Sequence, residues 1–185
     1  MSATSTAQPR RIGGWSALTK FRMLLWEWSW MVLCRWTPKP LNPWRVMILR
    51  LFGCGVESGA FVHQRARIQI PWNVHLGRGS CLGDGANLYS LDRIDVGAGS
   101  VVAQEAYLCT GTHDFEDPAF PLLVAPIVLG AAVFVGARAF VLPGVNIEDR
   151  SVIGACSVVT RDVAAGSVVA GNPARIIHHS HERQL

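Results

Sequence analysis

His113 closes the run CTGTH (109–113) and stands just before an acidic, proline-rich stretch, residues 114–126, that carries Phe115 and Phe120. A neutral imidazole, with a pKa near about 6.5, can take the proton from a hydroxyl as its oxygen attacks an electrophile at neutral pH. A turn histidine with no chemical role is the plainer reading. Asn87, in GANLY, has an amide that can hold a hydroxyl or a carbonyl oxygen in place. It could equally be a corner asparagine in a left-handed backbone conformation. Asp114, Glu116 and Asp117 can accept hydrogen bonds from a hydroxyl-rich ligand, or simply be solvated.

These residues must be positioned by a scaffold, and the scaffold announces itself as a period of six. An aliphatic residue recurs at Val56, Val62 and Ile68, at Leu76, Leu82 and Leu88, and at Val96, Val102 and Leu108. It resumes at Leu129, Val135, Val141, Ile147, Ile153 and Val159. A small or β-branched residue follows four positions later almost everywhere, Trp72 and Asp92 being the exceptions. Six matches neither the helical repeat of about 3.6 nor strand alternation. It fits a solenoid in which each hexapeptide is one short strand and one corner. Glycine directly after the aliphatic position, as at Gly77, Gly97 and Gly136, is expected to supply unusual backbone angles. The phase slips by two residues after Ile68 and after Leu88, and breaks after Leu108 for the insertion. An inserted loop in a regular repeat is more often functional than accidental.

Residues 1–14 read as a flexible N-terminus, 15–53 as a helical extension, 54–177 as the solenoid with loop 114–126, and 178–185 as a tail. In the extension, Leu18, Phe21, Leu25, Trp28 and Val32 recur at helical steps between Trp15 and Trp36. Trp26, Trp30 and Leu33 widen that stripe nearly all round. Pro38 and Pro40 stop the helix, and Asn42–Pro43 reads as N-cap and first residue of a second one, Trp44 to about Phe52. Two compatible roles follow. The helices can cover the open end of the solenoid. Residues 15–52 can also rest on a membrane surface, with Lys20, Arg22, Arg35, Lys39, Arg45 and Arg50 meeting anionic lipid. Residues 1–50 carry eight Lys/Arg against Glu27 alone, so any partner-seeking basic surface lies here. No apolar run is long enough for an ordinary transmembrane helix. Glu27 and the lack of a small-residue cleavage site speak against a signal peptide. The five cysteines are scattered without a CxxC pair, which suggests a reducing cytoplasm and neither a disulfide framework nor a zinc knuckle. Cys109 reads as a core or corner thiol rather than a nucleophile.

The run FVGARAFVLPGVNIEDRSVIGACSVVTRDVAAGSVVAGNPARII resembles the acetyl-CoA end of the hexapeptide-repeat acyltransferases. CTGTHDFEDPAFPL, PWNVHLGRGSCLGDGANLY and the Trp-rich helices are similar to the exopolysaccharide O-acetyltransferases of the colanic-acid type. The resemblance covers about residues 54–177. It implies a mainly β, left-handed parallel β-helix and a homotrimer with active sites between subunits. It implies that acetyl-CoA is the co-substrate, that His113 is the catalytic base, and that Asn87 and Asp114 bind the acceptor. For the coenzyme it implies backbone contact at Gly136 and Ala137, lining of the pantetheine arm by Ala155 and Thr160, and phosphate contacts from Arg161 and Arg175. Ala137 stands where relatives often have serine, so a side-chain contact is not expected there. The γ-class carbonic anhydrases share the fold and hold zinc through three histidines. His63 and His75 lack the H-x4-H companion such a site needs, and His178, His179 and His181 fall in the tail. No metal and no nucleic-acid partner are expected. The expected reaction is acetyl transfer to a sugar of a surface-polysaccharide precursor, lipid-linked or not. The alternatives are a small free sugar or xenobiotic acceptor, and a scaffold without catalysis.

Overall fold

The computed structural model describes residues 9–179. Residues 1–8 of the expected flexible N-terminus and 180–185 of the tail, His181 included, lie outside the described residues. The body is a parallel β-helix with three faces. Gly55–Val56, Val74–Leu76, Ile94–Val96, Ile127–Leu129 and Asn146–Ile147 form the first sheet. Phe61–Val62, Cys81–Leu82, Val101–Val102, Phe134–Val135, Val152–Ile153 and Ser167–Gly171 run up the second. Arg67–Ile68, Asn87–Tyr89, Tyr107–Cys109, Phe140–Val141 and Val158–Val159 make the third. The six-spaced aliphatics stack directly on one another, as in Val56, Leu76, Val96, Leu129 and Ile147, and every one of them is buried. Each strand is short because a corner follows in every hexapeptide, and its hydrogen bonds go to the turns above and below.

The glycines directly after the aliphatic positions serve a purpose other than the expected one. A Cβ on Gly97 would run into the carbonyl of Gly130 in the next turn, and one on Gly136 would lie 2.7 Å from the nitrogen of Ala155. Close stacking of corners, not unusual backbone angles, excludes a side chain there. The left-handed angles fall two residues later, at Gly79 and Gly99 but also at Ala132, Arg138 and Cys156.

The first turn would leave three strand edges open. Helix α1 (Ala17–Leu33) and helix α2 (Asn42–Leu51) close them. Asn42 is the first residue of α2 rather than its cap. Its amide donates to the Ala60 carbonyl and its oxygen accepts from the Val62 amide, at 2.9 and 3.0 Å. Arg45 donates to the Val62 carbonyl at 2.8 Å, Arg50 to that of Val56 at 2.7 Å, and the Trp26 indole to that of Ile68 at 2.7 Å. Thus the edge of every first-turn strand receives side-chain donors from the helices. Arg45 is fully buried and also bonds Thr37, Pro38 and Lys39. Arg45 is therefore not available for the lipid contact expected of it, whereas Arg50 remains exposed. Arg22 lies over the Trp72 ring at 4.1 Å.

At the other end, Ser167–Gly171 folds back antiparallel onto Ala174–His179. The backbone therefore stays in a strand through two residues of the expected tail. In the lead-in, Arg10–Arg11 forms a two-residue strand that pairs antiparallel with Leu123 and Val124.

Candidate active site

The two phase slips and the insertion fall on the same corner, where the third sheet passes to the first. The 3₁₀ turn Pro71–Asn73 occupies it in one turn of the coil, residues 90–93 in the next, and residues 110–126 in the third. Their apolar residues Ile70, Leu91 and Val124 form a second small core, joined by Ile12, Trp15, Met23, Trp72, Tyr89 and Leu122. A polar ladder ties the layers together. Ser90 Oγ donates to the Ile70 carbonyl and accepts from its amide, and Thr110 Oγ1 donates to the Tyr89 carbonyl at 2.6 Å and accepts from Asp92.

On this platform stands a three-stranded antiparallel sheet, Arg10–Arg11, Leu122–Val124 and Gly111–His113. His113 is its last residue and is exposed. Its Nδ1 lies 2.7 Å from the carbonyl oxygen of Phe120. A carbonyl can only accept, so Nδ1 donates. In the neutral ring the lone pair then sits on Nε2, which is the state a base needs. Phe120 reaches that carbonyl position with φ of 45°, in a turn where its amide donates to the Asp117 carbonyl. The group that orients the ring is thus a backbone carbonyl rather than a carboxylate.

The acidic residues of the loop mostly brace it. Arg11 pairs with Asp114 at 2.9 Å and with Asp117 at 3.1 Å. The second oxygen of Asp114 accepts from the Glu116 amide. Both oxygens of Asp114 therefore have partners inside the chain, which hold the loop in place. Arg11 is the residue that sequence reasoning missed here. Its signal was a pair of arginines opposite a run of acids, too distant in the chain to be matched by spacing.

Asn87 lies on a strand, in register with Arg67 and Tyr107, so it is not a left-handed corner residue. It faces a cavity of about 400 Å³ between the third sheet and α1, with Trp30, Arg67, Gln69, Tyr89 and Tyr107 around it. Tyr107 stacks on Phe140 at 4.9 Å and lies 6.2 Å from Tyr89, an aromatic ladder on the outer face of that sheet.

Thr160, Arg161 and Arg175 come together in a groove of about 450 Å³ with Val159, Val169 and Ile176. Asp162, in the same groove, accepts from the Asn146 amide. Both arginines are exposed, and among the described residues Arg175 bonds only its neighbour's carbonyl, that of Ala174. Gly136 sits one corner away, where its amide donates to Ile153 and its carbonyl accepts from Ala139. Its backbone thus ties this corner to the coil, with Ala137 and the exposed Ala155 beside it. His113 lines neither this groove nor the cavity of Asn87.

Among the described residues no cluster of three or more His, Cys, Asp or Glu side chains could hold a metal ion. His63 lies beside Asp84 and His75 beside Glu57, on separate sheets. Burial pushes the Cys109 thiol up from its ordinary range, which makes a thiolate there unfavourable at neutral pH.

A solenoid of stacked hexapeptides with a histidine on an inserted loop defines the class, and comparison places the chain within it. The chain belongs to the hexapeptide-repeat acetyltransferases. The family model "Bacterial transferase hexapeptide (six repeats)" matches residues 126–161. The putative colanic acid biosynthesis acetyltransferase WcaF of Escherichia coli (strain K12) is 36% identical over 176 residues, 95% of each chain. A maltose O-acetyltransferase from Clostridium difficile 630 shares the fold with a TM-score of 0.82 at 24% identity, over 96% of this chain and 95% of that one. A galactoside acetyltransferase in complex with coenzyme A has a TM-score of 0.83 at 22% identity, covering 92% and 86%. Among the described residues no helix is long and apolar enough to cross a membrane.

Proposed function

We propose that the chain transfers the acetyl group of acetyl-CoA to a sugar hydroxyl of an exopolysaccharide precursor. The observation that carries this is the His113–Phe120 hydrogen bond, which leaves Nε2 as an exposed proton acceptor at the edge of the inserted loop. The acceptor hydroxyl gives its proton to Nε2 as its oxygen bonds to the thioester carbon. The tetrahedral oxyanion collapses, the C–S bond breaks, and the imidazolium returns the proton to the departing thiolate. No acyl-enzyme is required. The kinship with WcaF supports a polysaccharide precursor, and the aromatic and amide lining around Asn87 suits a sugar ring. A screen of neutral and phosphorylated sugars with acetyl-CoA, read as CoA release and as an acetyl mass on the sugar, tests this. CoA release without any acetylated sugar would overturn it.

The coenzyme is proposed to lie with its phosphates on Arg161 and Arg175 and its arm along Ala137, Ala155 and Thr160. The donor set fits, with two exposed guanidiniums and one hydroxyl beside an apolar wall. Arg161→Ala and Arg175→Ala should each weaken CoA binding by about 1–3 kcal/mol in a calorimetric titration. Unchanged affinity in both variants would remove the groove from the CoA site. The separation of His113 from this groove within one chain favours a homotrimer, in which the histidine of one copy meets the coenzyme held by its neighbour.

The outer face of α1 supports a seat on the cytoplasmic membrane surface. Phe21 and Trp28 are 61% and 57% exposed, and Leu18, Leu25 and Val32 continue the face. Lys20 and Lys39 remain exposed beside it. Apolar insertion together with basic residues can hold a protein on anionic lipid. The protein should co-sediment with anionic vesicles at low salt, and Phe21→Ser with Trp28→Ser should abolish this without changing the melting temperature. Retained sedimentation in that double variant would refute the seat.

A further inference from the structure

Resting on the transferase reading above, the structure assigns to Arg35 and Arg67 an anion subsite: the acceptor sugar carries a phosphate or diphosphate group, and these two guanidiniums bind it. The cavity of Asn87 adjoins a second one of about 480 Å³, and Arg35, Arg67, Asn87 and Tyr107 line both. Most other charges around the two spaces are matched. Arg65 is bonded through two nitrogens to the two oxygens of Asp84. Glu105 is paired with Arg138 at 2.6 Å. Glu27, on the wall of the first cavity, accepts from the neutral amide of Gln69 at 3.4 Å, so its charge offsets part of the positive charge there. Of the charged residues lining the two spaces, Arg35 and Arg67 alone make no side-chain hydrogen bond or ion pair among the described residues, and both stand exposed on the shared wall. They come from unrelated elements, Arg35 from the residues just after α1 and Arg67 from the first strand of the third sheet. Their convergence beside Asn87 leaves a positive excess at the mouth of the acceptor cavity. A neutral sugar has no use for it. A guanidinium fork matches phosphate oxygens in pairs, and two forks match a diphosphate. Trp30 and Tyr107 offer aromatic faces to the attached ring.

Inorganic pyrophosphate is the probe, titrated calorimetrically into the intact protein with CoA held saturating so that the coenzyme's own phosphate contacts are filled. Pyrophosphate should bind. Arg35→Gln and Arg67→Gln should each weaken it by about 10-fold or more, the lysine variants less, and Arg161→Ala not at all. Because both side chains are exposed and unpaired, the variants should keep the wild-type melting temperature. The acceptor found in the sugar screen is then offered as the neutral glycoside, the nucleoside diphosphate and the polyprenyl diphosphate. A higher kcat/KM for either diphosphate, lost in the glutamine variants, supports the subsite, and the better of the two names the source. No pyrophosphate binding, or binding indifferent to both arginines, overturns it. Acetylation of a neutral glycoside that depends on His113 but ignores pyrophosphate would sink the subsite and leave the transferase reading standing. Arginine-dependent pyrophosphate binding with no sugar acetylated would do the reverse.

Discussion

His113→Ala should lower kcat by about 10²–10⁴-fold while acetyl-CoA affinity stays near that of the native chain, since general-base catalysis is commonly worth that much. The argument rests on a tautomer. Phe120 offers only a carbonyl oxygen, so the proton of the neutral ring is held on Nδ1 and the free lone pair is left on Nε2. The histidine is exposed and lies outside the buried clusters, so its removal should not unfold the chain. kcat and kcat/KM for the sugar should fall together, the pattern of an interaction made only in the transition state. His113→Gln, which can still donate but cannot take a proton at neutral pH, should be as poor as alanine. A variant with near-native kcat would take His113 out of the mechanism.

Trp26→Ala should cost about 3–5 kcal/mol of stability, the usual range for removing a buried tryptophan. Trp26 is 2% exposed and packs against Trp30 and Phe52, each with ring centroids 5.2 Å away. Its loss removes that packing and also strips the Ile68 carbonyl of its donor. The bottom turn of the third sheet would then present an open edge. Chemical denaturation should show a lower midpoint with little change in slope. A shift below about 1 kcal/mol would mean that α1 does not hold the end of the coil. Trp28→Ala, two residues away on the outer face, is the contrast, and its effect on stability should be small.

The coil was legible because each hexapeptide repeats the same decision locally, aliphatic inward and small at the corner. Val56 to Val159 all turn inward as the period of six requires. What the period could not convey is how the turns superpose. The slips after Ile68 and Leu88 were visible in the sequence, yet only the winding puts them on one corner with the insertion. Likewise, the role of Gly97 depends on Gly130, a residue of the next turn. Charge misled for a similar reason. Arg45 and Arg50 count as basic residues in any window, but the carbonyls that claim them belong to strand edges formed later in the chain. His113 was found by its type and its place before the loop. The carbonyl that orients it comes from the far side of that loop, where spacing gives no sign.

The inserted loop leaves and rejoins the coil almost at a point. The Ala125 amide donates to the Thr110 carbonyl at 3.0 Å, and Val96 still pairs with Leu129 as though nothing lay between their turns. Most of the loop's own hydrogen bonds close within the small sheet and its turn. Doubling the length of a flexible loop costs only about 0.6 kcal/mol in closure entropy. The segment carrying His113 is therefore a cassette. Homologous recombination or design can lengthen, shorten or exchange it without disturbing the register of the turns above and below. Changes in length and sequence should collect between Thr110 and Ala125, while the stacked hexapeptides change under a separate and stricter constraint.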